Sequence, residues 1–183
     1  MIRRDTLCPI ARAAALIGDA WTILILRELG LGNDRFDGIQ AQTGISSHLL
    51  ARRLKAMEAD GLLVRVAYSQ RPKRYSYVMT EKCRELDGVI LLLRQWGMRH
   101  CGFDAGAESA VRMIHRPTGA LIDENWSIGN AEGFFSLDQV ESTINPSWAK
   151  ERNALEAAFS SEKRSRALRR RSHQADSDQF DEH

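Results

Sequence analysis

The sequence has few cysteines, only Cys8, Cys83 and Cys101, and no two of them form a Cys-x-x-Cys pair. That excludes a zinc knuckle and a dithiol redox box. If Cys83 and Cys101 share one helix, they stand about 27 Å apart at about 1.5 Å per residue, too far for an intrachain disulfide. His100, Cys101 and His115 lack the further spaced partners that a metal site needs, so no metal is expected. Long apolar runs are also missing. The densest, Val89 to Leu93, gives way at once to Arg94 and Gln95, and none is long enough to cross a bilayer. Before Arg12 there is no apolar stretch of signal-peptide length. A cytoplasmic protein with no membrane partner is expected. Nothing accompanies Cys8 and a distant histidine as an acid, an oxyanion-hole loop or a phosphate loop. Catalysis and cofactors are therefore not expected.

A net charge of +2 says little, but its distribution says more. Between Ala51 and Tyr77 stand Arg52, Arg53, Lys55, Arg65, Arg71, Lys73 and Arg74, against only Glu58 and Asp60. Such a block is either a polyanion-facing surface or a solvated face. With 43% hydrophobic residues in a chain of 183, there is enough apolar material for a core.

Helical spacing and caps set the order of elements. Pro9 suits a first helical turn, and Gly18 ends that helix. Asp19 caps a helix carrying Trp21, Leu24, Ile25 and Leu29, which Gly32 stops. Asp37 is expected to cap a short helix, Gly38 to Thr43. Ser46 caps the next, Ser47 to Asp60, in which Leu50, Leu54 and Met57 form a buried stripe. His48, Ala51, Arg52 and Lys55 then fall on its opposite face. After Gly61 the period changes. Leu63 to Tyr68 and Tyr75 to Met79 read as strands around a basic tip, Ser69 to Arg74. Thr80 is expected to cap one long helix to about His100. Its stripe Cys83, Leu86, Ile90, Leu93 and Gly97 adjoins a second, Val89, Leu92 and Trp96. Two apolar faces on one helix predict a partner chain, hence a dimer.

Beyond this unit, Val111–His115 and Gly119–Ile122 read as a hairpin, Leu137 to Ile144 as a helix, and Trp148 to Phe159 as another. From Ser160 apolar residues thin out and basic residues dominate, so a disordered charged tail is expected. The expected domains are 1–104, a C-terminal extension at 105–159 and a tail at 160–183.

The fold class expected is mainly α with a small β-hairpin wing, in winged helix-turn-helix order. A helix with a basic outer face fits the major groove of B-DNA. The DNA-binding residues expected are Ser46, Ser47, His48, Arg52, Arg53 and Lys55 on that helix, and Arg71, Lys73 and Arg74 on the wing. His48, Arg52 and Lys55 are the candidates for base edges. Arg53 either fixes the helix or reaches a phosphate. A winged helix that binds proteins and reads no DNA sequence is the alternative. Cys8 is either a small residue before a helix or a thiolate favoured by that helix's positive end.

The segments Cys8-Pro-Ile-Ala-Arg12, Ile17-Gly-Asp-Ala-Trp-Thr22 and Ile25-Leu-Arg-Glu-Leu29 resemble the opening of HxlR-type regulators, in the MarR-like winged-helix group. The likeness continues through Arg35-Phe36, Gly44-Ile-Ser46, Leu50, Arg53-Leu54, Gly61-Leu62 and Tyr77 to Lys82. It covers roughly residues 8–100. The resemblance implies a homodimer, joined through the first and last core helices, that controls nearby genes. It also implies a sensor of electrophiles or oxidants at Cys8, or a small-molecule effector. Ala20, Gly38 and Cys83 depart from the family pattern, which has a basic residue, a glutamate and a glycine there.

Overall fold

In the computed structural model, residues 5–102, 109–127 and 135–180 are described, with side chains to residue 169. The order is α1 (Pro9–Ile17), α2 (Ala20–Gly30), α3 (Phe36–Thr43), α4 (Ser47–Ala59), β1 (Leu63–Gln70), β2 (Lys73–Met79), α5 (Glu81–Arg84), α6 (Asp87–His100), β3 (Val111–His115), β4 (Ala120–Leu121), β5 (Val140–Ile144) and α7 (Pro146–Phe180). The chain divides into two compact units, residues 1–145 and 146–183. The expected boundary at 104/105 lies outside the described residues.

Local chemistry sets the helix ends. Gly18 closes α1 where a Cβ would stand 2.5 Å from the Ala14 carbonyl oxygen, and the axis turns by 73° into α2. Asp19 caps α2 by accepting from the Thr22 N–H at 3.1 Å. Gly44 ends α3 in the left-handed region at φ 71°, which glycine adopts without steric cost. Ser46 Oγ accepts from the Leu49 N–H at 3.3 Å to start α4. These ends support the sequence expectations. The start of α3 does not: it begins at Phe36, with Arg35 at the cap position and no side-chain cap bond, and Asp37 lies inside the first turn.

The main core joins Ile25, Leu26 and Leu29 of α2, Ile39 of α3, Leu50, Leu54 and Met57 of α4, and Leu62, Leu63 and Cys83. Each large side chain buried there contributes roughly 1.5–3 kcal/mol. The expected helix from Thr80 to His100 is broken between α5 and α6. The Leu86 N–H donates to the Cys83 carbonyl, three residues back, in a tighter turn. Gly88, a weak helix former, follows at once.

A second cluster forms on another face of α6. Leu91 packs with Ile122, Phe135 and Val140, flanked by Met113, Trp126 and Leu137. Strands β4, β3 and β5 form an antiparallel sheet in that order. The expected β3–β4 hairpin is present, but the expected helix from Leu137 to Ile144 is a short 3₁₀ turn followed by β5. Val140, Thr143 and Ile144 are β-branched, and the ladder to β3 satisfies their backbone. Side chains of α6 tie down this sheet and the segments beside it. Arg94 donates to the carbonyls of Ile122 (3.1 Å) and Val111 (2.8 Å), and Gln95 to those of Asp123 (2.9 Å) and Trp126 (2.6 Å). Asp87 accepts from the Leu137 N–H at 2.9 Å. Strands β3, β4 and β5 lie in the first unit.

Burial raises the Asp87 carboxyl above its ordinary value, the Leu137 N–H opposes this, and Asp138 adds to it. A raised carboxyl pKa favours the folded state while the group is protonated. That contribution is present below the ordinary carboxylate pKa and is lost as pH rises through the folded value. Asp87→Asn keeps an acceptor for Leu137. The melting temperature of the parent, relative to this variant, is expected to fall as pH rises through that window. Parallel melting curves across mildly acidic pH check this, and identical pH profiles would contradict it.

In the second unit α7 runs from Pro146 to Phe180. The sequence reading ends this helix near Phe159 and expects disorder beyond; here the helix continues. Arg152 stacks on Trp148 at 4.8 Å and Lys163 on Phe159 at 5.9 Å. The Glu162–Arg166 pair at 2.5 Å adds support one turn apart.

Candidate nucleic-acid interface

Two thin elements of the first unit carry the basic block. Helix α4 is sealed on one side, with Leu50, Leu54 and Met57 no more than 2% exposed. A period of 3.6 residues then drives Ser47, His48, Arg52 and Lys55 outward, and all four are exposed. Ser46 is exposed as well, although its hydroxyl is engaged in the cap.

Arg53 stands apart from this set. Its Nη1 lies 3.2 Å from Asp19 Oδ2, and the same carboxylate accepts from the Thr22 hydroxyl. The side chain is one-third exposed, and its Nε is buried without a hydrogen-bond partner among the described residues. Of the two roles open from the sequence, this geometry favours fixing α4 against the start of α2. Arg53→Ala is expected to cost about 1 kcal/mol and to lower the melting temperature by a few degrees. Arg52→Ala should leave the melting curve in place. Calorimetry on the two variants checks this contrast.

Arg71, Lys73 and Arg74 are exposed at the end of the β1–β2 hairpin, whose strands run two residues further at one end and two earlier at the other than the sequence suggests. The turn carries a cis Arg71–Pro72 bond, and Ser69 Oγ donates to the Pro72 carbonyl at 2.9 Å. Lys73 and Arg65 both lie over the Tyr75 ring, at 5.6 and 4.4 Å. Arg65 also faces Glu58 at 3.8 Å, so one of the two acids in the block is occupied by a neighbouring cation.

Two features escaped the sequence analysis. Arg35 and Ser76 form an isolated bridge, and the Tyr77 N–H donates to the Asp34 carbonyl at 2.9 Å, so residues 34–35 lie along the outer edge of β2. Glu28 is fully buried, and it pairs with Arg27 at 2.7 Å and accepts from Asn33 at 2.9 Å. Its position on the polar flank of α2 gave no signal of burial.

The cysteines separate clearly. Cys8 is exposed, and its Sγ accepts from the Ala11 N–H at 3.4 Å at the start of α1. Burial pushes the Cys83 thiol up to about 11, and the Asp87 charge adds to this. Cys101 is exposed at the end of α6 in the single chain. Among the described residues no cluster of His, Cys, Asp or Glu could hold a metal ion, and no single helix is long and apolar enough to cross a membrane.

Residues 16–104 match the HxlR-like helix-turn-helix family. The HTH-type transcriptional regulator YdeP of Bacillus subtilis is 32% identical over 94 residues, which take in 51% of this chain and 73% of that protein. The chain belongs to the HxlR-like helix-turn-helix family. This is a family of transcriptional regulators, not of enzymes. The HTH-type regulator Rv3095 of Mycobacterium tuberculosis is 42% identical over 88 residues, or 48% of this chain, and the match spans 56% of that protein's length. The crystal structure of PA1607, described as a candidate transcription factor, superposes with a TM-score of 0.58 at 28% identity. It covers 78% of this chain and 98% of PA1607, more of this chain than the family match spans. The order α2, α3, α4, β1, β2 is thus the winged helix of an HxlR-like protein.

Proposed function

We propose that this HxlR-like protein is a homodimer that binds double-stranded DNA sequence-specifically in the cytoplasm. The observation that carries this reading is the pairing of two exposed basic features in one unit, the outer face of α4 and the end of the β1–β2 hairpin. Helix α4 has the width to enter a major groove, where His48, Arg52 and Lys55 would meet base edges. Ser46 and Ser47 at its start, and Arg71, Lys73 and Arg74 on the hairpin, would hold phosphates.

The dimer rests on uncovered apolar surface. Helix α1 has no buried residue, and Ile10 is 78% exposed. On α6, Leu92 is 58% and Trp96 54% exposed, with Val89 and Leu93 beside them. The first expected stripe is thereby divided: Leu86 and Ile90 pack on the main core, while Leu93 joins the open face. Apolar surface of this kind on α1 and α6 suits a second copy.

Selection from a random duplex pool tests the reading. Enrichment of a palindromic site is expected. No enrichment would favour the second reading, a protein-interaction module, for which Val64, Val66 and Val78 on the hairpin are the exposed surface.

Cys8 is the sensor in this proposal, because its sulfur is exposed and lies at the positive end of α1, inside the proposed dimer seam. Modification there would shift the spacing of the two α4 helices. In a quinone titration followed by DNA binding, Cys83→Ser and Cys101→Ser should release DNA like the parent, and Cys8→Ser should not. Release of Cys8→Ser at the parent's dose would remove Cys8 from the mechanism and leave a small-molecule effector site to be sought elsewhere.

A further inference from the structure

In the β1–β2 ladder Ala67 faces Tyr75 and Ser69 faces Arg74, which leaves Tyr68 at an irregularity between them. A bulge re-aims the extra side chain. The Tyr68 ring lies against Arg35, whose guanidinium carbon is 3.5 Å from the ring centroid. Arg35 comes from the strand-like segment on the far side of β2, and its Nε donates to Asp34 Oδ1 at 3.0 Å. The Arg35 and Tyr68 side chains are both well exposed. Arg74, paired with Ser69 in the ladder, stands on the strand opposite the irregularity. Arg35 lowers the Tyr68 pKa most, burial opposes this, and Arg74 lowers it further. Asp34 beside Arg35 is the opposing charge. Arg35 is also the cap residue of α3 and offers its first N–H groups no side-chain acceptor, so the helix end adds partial positive charge, with Asp37 in that turn as the opposing group.

Cation stacking alone does not require that both groups be exposed, nor that a second arginine stand on the neighbouring strand beside them. We propose that Arg35, Tyr68 and Arg74 form a clamp at the base of the hairpin for one backbone phosphodiester of the bound duplex. The two guanidinium groups supply charge and the Tyr68 hydroxyl supplies a neutral donor. The clamp rests on the DNA-binding reading above and adds Arg35 and Tyr68 to it.

The test follows the full chain on a random 25-base-pair duplex by fluorescence anisotropy over a range of salt concentrations. Arg35→Gln is expected to reduce the slope of log affinity against log salt by about 1, as removal of one phosphate partner does. Tyr68→Phe keeps the ring and its stack, and should weaken binding about twofold to tenfold with the slope unchanged. A parental slope in Arg35→Gln overturns the clamp, including when affinity falls along with the melting temperature, because that pattern marks a brace. If Arg52→Ala still weakens binding to a duplex enriched from a random pool in that case, the α4 assignment stands and only the clamp fails. If the parent itself shows no salt-dependent binding, the DNA reading fails and the clamp fails with it.

Discussion

Leu92→Glu combined with Trp96→Glu is expected to convert the protein to a monomer and to lower affinity for a two-half-site duplex by about 10²–10⁴-fold, the gain that linked binding sites supply. Both side chains are more than half exposed in the single chain. Each would contribute roughly 1.5–3 kcal/mol when covered by a partner. Placing carboxylates there puts unpaired charges into the seam, which costs several kcal/mol more. The fold should survive, because neither residue belongs to the two buried clusters. Sedimentation at micromolar concentration, alongside the melting curve, checks the result. A double variant that remains dimeric would place the dimer seam elsewhere.

The second large effect concerns the outer face of α4. Arg52→Ala with Lys55→Ala should leave the melting temperature unchanged, since both side chains are exposed opposite Leu50 and Leu54. Operator affinity should drop by about 1–3 kcal/mol for each bidentate pairing with a base that the change removes, or roughly tenfold per 1.4 kcal/mol. Binding to random duplex should fall much less. Lys73→Ala should behave differently, weakening all duplexes alike. Equal losses on operator and random DNA in the double variant would demote Arg52 and Lys55 to phosphate binding.

The winged-helix unit was legible because its signals are local. Asp19, Ser46 and Thr80 cap their helices through their own side chains, and the apolar stripe of α4 needs no distant residue to define it. The hairpin was readable from its change of period. What failed depends on tertiary structure. The break before α6 coincides with Asp87 accepting from Leu137, fifty positions away in sequence. The helix expected at Leu137–Ile144 became β5 because a five-residue ladder with β3 outweighs a weak helical period. Leu91 was assigned to neither apolar stripe, because the surface that buries it comes from the later sheet. At the candidate site, Arg52 and Lys55 follow from periodicity. The role of Arg53 needed the position of Asp19, and Arg35 needed the bulge at Tyr68.

The central claim is that two copies present two α4 helices to one side of a duplex. Hydroxyl-radical footprinting of the full chain on a sequence enriched from a random pool tests it most directly. The account expects two protected half-sites related by a dyad, centred about one or two helical turns apart, roughly 34–36 Å or twice that, on the same face of the DNA. A single protected patch, or no protection on any enriched duplex, would contradict it.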